Sequence, residues 1–426
     1  MKQQSEKKHW KEDENMIIAQ QNGRTAIGAP DKLFGVSSRA KERIAQIGKE
    51  NVIDSTIGVL LNDEGRLVVL DSVMEAIHAL SPEDYAAYAP ILGTPAYLES
   101  VKKAVFLDEM PENTFVEACY TPGGTGAIRN AISGYTRPGD KILTSDWHWN
   151  PYNLIARELG REVATYTLFD EENKFNGTSF RETLGEILAG QDEIVILINT
   201  PAHNPTGYTF TEEDWNQVLD AVKAYPEKKI ALVVDIAYLD FSGDAVEYRF
   251  FLKKLTGLPQ NILPMIAFSA SKGYTMYGMR CGALLCMAPS AEIAREFRDV
   301  MSVECRASWS NGNRAAMTVL ASILQNPELK QKVDEEREYY KKILRERGDV
   351  FMEEAGKAGL QTCPYDSGFF VTIPCSNPER VGEILQSFNI FTIPLGPGVR
   401  VSVASNTVEE CRRMPAKIKE AIQLCK

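Results

Sequence analysis

Between about residues 100 and 290, short aliphatic, β-branched runs alternate with amphipathic stretches, and this alternation limits the possible folds more than any other feature. The runs are KILTS (141–145), VATYTL (163–168), EIVILIN (193–199), KIALVVD (229–235), PMIAFS from Pro264, and ALLCM (283–287). Such near-continuous apolar segments suit strands covered on both faces. Between them lie helical patterns such as TEEDWNQVLDAVKAY (211–225), which opens with Thr211 and Asp214 at capping-box spacing. Strands that alternate with helices predict an α/β fold with a mostly parallel sheet between helical layers.

After residue 326 the pattern changes. Pro327 to Gly359 is charged and helical, long enough to bridge two domains. FFVTI (369–373), a helix near 377–388, VRVSV (399–403) and a helix near 407–424 then form a second, smaller α/β piece. Residues 31–70 are too few to stand alone and are expected to join it. The expected division is an N-terminal arm (1–30), a small domain (31–70 with 327–426) and a large domain (71–326). A net charge of −11 argues against a broad nucleic-acid surface but permits a local positive pocket. Eight scattered cysteines without CxxC spacing and only four histidines suggest neither a disulfide scaffold nor a metal site. The polar N-terminus lacks the apolar core of a signal peptide, and no apolar run is long enough to span a membrane, so a cytoplasmic protein is expected.

The chemically informative segments fall where strands end, and ligand sites of open α/β sheets lie at the carboxyl ends of strands. TPGGTGAI (121–128) is a glycine-rich turn opening a helix, with backbone N–H groups suited to a phosphate. It matches neither G-x-G-x-x-G nor a Walker loop, and alone it is also an ordinary tight turn. FSASKGYTMYGMRCG (268–282) gathers Ser269, Ser271, Lys272 and Arg280. Two hydroxyls and a guanidinium can grip a phosphate, and a lysine there can act as a nucleophile if its pKa is lowered. In VVDIAYLDF (233–241), Asp235 closes an apolar run, where an unpartnered carboxylate is costly, and Tyr238 follows three residues later. In TPAHNPTGYTF (200–210), Asn204 offers an amide to a ligand, although turn chemistry explains most of the segment, and His203 reads as a supporting core residue.

Together these segments provide a phosphate cup, an amine, a buried carboxylate, a phenol and an amide. That is the set pyridoxal 5′-phosphate requires: an amine for the aldehyde, an acid for the ring nitrogen, and donors for the 3-oxygen. With AHNPTG, the D-x-A-Y of Asp235–Tyr238, the S-x-S-K ending at Lys272 and the arginine eight residues later, the chain resembles the class I aminotransferases of the fold-type I pyridoxal-phosphate enzymes. Within them it is most similar to the aspartate and aromatic amino acid subgroup. The resemblance runs from about Ile53 to the C-terminus and includes IGVLLNDEGRLVVLDSV (57–73), which looks like the subgroup's N-terminal strand and turn.

The resemblance implies a seven-stranded, mostly parallel sheet in the large domain and a transaminase activity on aspartate, glutamate or aromatic amino acids. Lys272 would be the Schiff-base lysine and proton shuttle. Gly124, Thr125, Ser269, Ser271 and Arg280 would hold the phosphate, Asn204 and Tyr238 the 3-oxygen, and Asp235 the ring nitrogen. Trp149 would stack on the ring, with Trp147 a rival. Arg400 would clamp the substrate α-carboxylate, helped by Asn204 and the backbone of Gly58. A homodimer with composite sites is implied: Tyr88 would reach the neighbour's phosphate and Arg306 a dicarboxylic substrate's second carboxylate. Tyr152 departs from the pattern, since the subgroup usually has histidine there. A lyase or decarboxylase using the same cofactor is the alternative, because those reactions share most of these residues.

Overall fold

The computed structural model describes residues 32–107 and 109–425, so the expected N-terminal arm lies outside the described residues. The chain enters through helix α1 (Lys32–Ile47) and a short strand β1 (Ile53–Asp54). Seven strands follow: β2 (Phe115–Pro122), β3 (Lys141–Ser145), β4 (Glu162–Tyr166), β5 (Glu193–Asn199), β6 (Lys229–Asp235), β7 (Ile262–Ser269) and β8 (Cys281–Ala288). They form one sheet in the order β2-β8-β7-β6-β5-β3-β4. Strands β3 to β7 pair in parallel, while β8 runs antiparallel to both β2 and β7. The helices that pack on the sheet include α2 (Gly123–Tyr135), directly after β2, and α3 (Ala291–Ser308), directly after β8.

The central strands are buried along almost their whole length, which explains their unbroken apolar sequence. The helix after β5 begins with the expected capping box: Asp214 N donates to Thr211 Oγ1 and Thr211 N donates to Asp214 Oδ2. Buried side chains on either side of the sheet form two extensive apolar clusters, one around Trp215, Phe180 and Phe251, the other around Tyr152, Phe297 and Met301.

A long helix, α4 (Pro327–Ala358), leads out of this unit. Asn326 caps its start and Gly359 ends it in the left-handed conformation (φ 61°), which glycine adopts without a Cβ penalty. Strands β9 (Phe370–Pro374), β10 (Ile390–Phe391), β11 (Ile393–Leu395) and β12 (Gly398–Ser402) follow, then α5 (Val408–Leu424), which packs on α4. Strands β9, β11 and β12 form an antiparallel sheet, and β10 pairs in parallel with β1. The segment after α1 is thereby held against the C-terminal piece. Residues 57–73 form less strand than their sequence suggests: among the described residues they show one bridge, Leu61 to Leu67, around a turn. Some of their other backbone groups bond side chains from both sides, including Tyr277, Thr275 and Arg347. Among the described residues no helix is long and apolar enough to cross a membrane.

Candidate active site

A cavity of about 190 Å³ opens at the carboxyl ends of β5, β6 and β7. Its lining includes Gly124, Thr125, Trp149, Asn204, Asp235, Tyr238, Ser269, Ser271, Lys272 and Arg280, so these sequence-selected residues come together in one place. A larger cleft of about 610 Å³ adjoins it, sharing Trp149 and Asn204 and reaching Arg400. Trp147 is buried and lines only this outer cleft, whereas Trp149 lines both.

Lys272 sits in the helical turn after β7. Its Nζ donates to Gly58 O at 2.7 Å. Burial, then the nearby guanidinium groups of Arg400 and Arg280, push its pKa down to about 7. An amine near neutrality is partly uncharged at ordinary pH, the state a nucleophile or base requires.

Asp235 ends β6 with only 6% exposure. Tyr152 donates to its Oδ2 at 2.7 Å and Ala237 N to its Oδ1 at 3.1 Å. Burial raises the carboxyl's pKa while these two donors pull it back down. Tyr152 is itself held between His148, stacked on it, and Trp149, which meets it edge-on with centroids 5.5 Å apart. Asn199 closes β5 and fixes the neighbouring backbone: its Nδ2 donates to Asp235 O, and its Oδ1 accepts from Asn204 N. Asn204 in turn donates to the Tyr238 hydroxyl at 3.3 Å.

At the other end, helix α2 begins without a side-chain cap, so its first N–H groups have no such partner, and Gly124 and Thr125 of its first turn line the cavity. Arg280, in a left-handed backbone conformation (φ 54°), turns back to donate to Pro122 O and Ser271 Oγ. Gly123 makes room for it, since a Cβ there would lie 2.5 Å from Arg280 Nη2. Open N–H groups, two serine hydroxyls and a guanidinium form an anion cup. The buried acid, the phenol–amide pair and the low-pKa lysine complete a donor set that fits a phosphorylated pyridine aldehyde, with a phosphate at one end and a ring nitrogen at the other.

Arg400, on β12, is 5% exposed. It donates to Asn204 Oδ1 at 3.3 Å and Thr56 O at 2.9 Å, and its guanidinium lies 4.2 Å from the Phe370 ring centroid. Its Nε is buried without a partner, and burial lowers its pKa to about 10. This is a cation desolvated in advance, with one N–H still unpaired.

The family model for class I and II aminotransferases matches residues 50–418. The chain belongs to that family. It is similar over 96% of its length to all of a crystallised aminotransferase from Anaerococcus prevotii, with 35% identity and a TM-score of 0.92. It is 30% identical to the aspartate aminotransferase of Pseudomonas aeruginosa, over 83% of this chain and 88% of that one. It is 25% identical to the aromatic-amino-acid aminotransferase of Escherichia coli, over 88% of this chain and 94% of that one.

Two expected residues lie outside the cavity of this aminotransferase chain. Tyr88 is 87% exposed, and Arg306 is exposed and bonded to Ser310. They belong to one region of the surface, since Asn311 from the turn after Arg306 donates to Ala89 O at 2.7 Å. His203 is buried against Thr206, and burial pushes its pKa down to about 3, so it stays neutral. Among the described residues no group of three or more His, Cys, Asp or Glu side chains is arranged to hold a metal ion.

Sequence reasoning missed Asn199, Thr56 and Tyr277. Asn199 carried the same signal as Asp235, a polar residue closing an apolar strand. The other two had no local signal, because their partners are distant in sequence.

Proposed function

We propose that this aminotransferase works with pyridoxal 5′-phosphate and moves an amino group between aspartate, glutamate or an aromatic amino acid and a 2-oxo acid such as 2-oxoglutarate. The observation that carries the reading is the convergence of Lys272, Asp235, the Asn204–Tyr238 pair and the Arg280 cup on one cavity, with Arg400 beside it. Gly124, Thr125, Ser269, Ser271 and Arg280 would hold the phosphate, and Asn204 and Tyr238 the 3-oxygen. Asp235, whose carboxyl accepts from Tyr152 and Ala237 N, would hold a proton on the ring nitrogen. Trp149 would cover the ring. When bound, the cofactor draws electrons from the substrate α-carbon and carries the amino group between the two half-reactions.

Arg400 would bind the substrate carboxylate, with Asn204 and the backbone near Gly58 fixing the orientation. Lys272, once free, would take the proton from the substrate α-carbon and hand it to the former aldehyde carbon within the same half-reaction, and would run the transfer in reverse in the other. Its pKa near 7 suits it to both directions.

Composite sites in a homodimer belong to the same proposal. The exposed Tyr88, Tyr85 and Val303 support it, as does the placement of Arg306 without an acidic partner among the described residues. Tyr88 would serve the neighbour's phosphate, and Arg306 the second carboxylate of a dicarboxylic substrate. Eight free thiols support a cytoplasmic setting.

The test is complementation between inactive variants. Arg306→Ala and Arg400→Ala proteins, mixed so that heterodimers form, should regain activity on aspartate at the one site that keeps both arginines. No recovery in demonstrated heterodimers would refute the composite site.

A further inference from the structure

Tyr277 stands five residues after Lys272 and lines the same cavity. Its ring centroid is 4.7 Å from Lys272 Nζ, nearer than the rings of Tyr238 and Phe369 at 5.7 Å each. Its hydroxyl accepts from Leu60 N at 3.1 Å. Leu60 belongs to the strap of residues 55–61, which also supplies acceptors to the two basic side chains of the site: Gly58 O for Lys272 and Thr56 O for Arg400.

The strap is anchored on opposite sides. On the small-domain side, Leu61 N donates to Ala404 O, and Arg347 Nη1 donates to Leu61 O at 2.9 Å. Gly58 presses on Phe370, so closely that a Cβ would lie 2.6 Å from its Cζ. On the large-domain side, the Tyr277 hydroxyl holds Leu60, and Thr275 Oγ1 accepts from Leu70 N at 3.1 Å farther along the chain. The pin closest to the lysine therefore comes from a residue whose ring already touches the amine.

We propose that Tyr277 is a positioning residue for Lys272: its ring forms the floor under the amine, and its hydroxyl holds the strap so that Gly58 O receives the amine's hydrogen. The proposal rests on Lys272 as the reacting amine. A lysine side chain has many rotamers, and one parked beside the cavity loses less freedom each time it reacts. The other groups facing the amine are Arg400 from β12, Arg280 before β8 and Tyr238 after β6. None of them is altered in the test.

Three variants separate the possibilities. Tyr277→Phe keeps the ring and removes the acceptor for Leu60. Tyr277→Leu removes both. Thr275→Val removes the other strap pin, away from the amine. The first readout is the pH dependence of Lys272 acylation by a neutral anhydride in cofactor-free protein, followed by peptide mass spectrometry. The aromatic face and the fixed carbonyl both favour the charged amine, so the midpoint should fall by roughly half a pH unit in Tyr277→Phe and by about one in Tyr277→Leu. The second is the single-turnover rate of loaded enzyme with saturating amino acid. It should drop by about tenfold in Tyr277→Phe, with amino-acid affinity little changed. Thr275→Val should leave both readouts as in the wild type. The proposal is overturned if Tyr277→Phe matches the wild type in both, or if Thr275→Val shifts both as much as Tyr277→Phe does. A wild-type Lys272 that acylates at neutral pH no faster than surface lysines would instead overturn the assignment of Lys272, a result distinct from either.

Discussion

Asp235→Asn keeps the shape of the side chain and removes its charge, so it isolates what the charge does. In the wild type the carboxylate accepts from Tyr152 at 2.7 Å and from Ala237 N at 3.1 Å. An asparagine can keep the Ala237 bond through its oxygen. Its amide then faces the Tyr152 hydroxyl, which must rotate to accept instead of donate. Both internal bonds survive in this arrangement, and the fold should not suffer. Removing a buried anion whose pKa is raised by burial should leave the cofactor-free protein at least as stable at pH 7. That advantage should shrink as pH falls and the wild-type carboxyl protonates in the fold. The loss appears only toward a protonated ring nitrogen. A hydrogen bond to a charged group contributes roughly 1.5–3 kcal/mol, which is about a 10- to 150-fold loss of cofactor affinity. Titration of cofactor-free variant with pyridoxal phosphate, followed by absorbance, measures it. Proton abstraction should slow further, since an unprotonated ring accepts electrons poorly; single-turnover kinetics with an α-deuterated amino acid reports this step. Unchanged affinity together with unchanged proton abstraction would refute the pairing of Asp235 with the ring.

Lys272→Ala should retain cofactor through the anion cup but lose turnover, by more than the roughly 10²–10⁴ typical of a general acid–base group, because the anchoring amine goes as well; near-normal steady-state rates would remove Lys272 from the mechanism. In cofactor-free protein the folded amine has a pKa of about 7 against 10.5 for an ordinary lysine, so it binds fewer protons folded than unfolded between those values. Lys272→Met should therefore stabilise the cofactor-free protein most below pH 7, with the gain in melting temperature fading as pH rises toward 10.5; a gain independent of pH would contradict the lowered pKa. Arg306→Ala should lose about 30- to several-thousand-fold in kcat/KM on aspartate and glutamate, from the roughly 2–5 kcal/mol of a broken buried charge pair, and change little on phenylalanine. Equal losses on both substrate classes would count against its role.

Much of the large-domain sheet was legible because its central strands are buried on both faces. EIVILIN and KIALVVD match β5 and β6 residue for residue, with no choice of face to mistake. β2 was not legible in the same way: its first half is partly exposed and carries Glu117, so FVEACYTP has no clean pattern. The reversed direction of β8 was also hidden, since a buried run reads alike in either direction. The two-residue strands β1 and β10 exist only through each other, across more than 300 residues of chain. In the site, Asp235 and Lys272 stood out as charges at the ends of apolar runs. Tyr277 did not, because what it does depends on Leu60, 217 residues away. Tyr152 was visible as a departure from the family pattern, but its bond to Asp235 spans 83 residues and needed the structure.

The central claim is that Lys272, Asp235 and Arg400 serve transamination, and a half-reaction tests it most directly. Wild-type protein is loaded with pyridoxal phosphate, freed of excess, and given glutamate, aspartate or phenylalanine without any 2-oxo acid. Cofactor absorbance is followed while the 2-oxo acid released is measured by chromatography. The account predicts release stoichiometric with sites, then arrest with the cofactor in its amine form, and resumption when 2-oxoglutarate is added. Continued release of ammonia or carbon dioxide without arrest, and with the cofactor still in its aldehyde form, would contradict it and identify a lyase or decarboxylase instead.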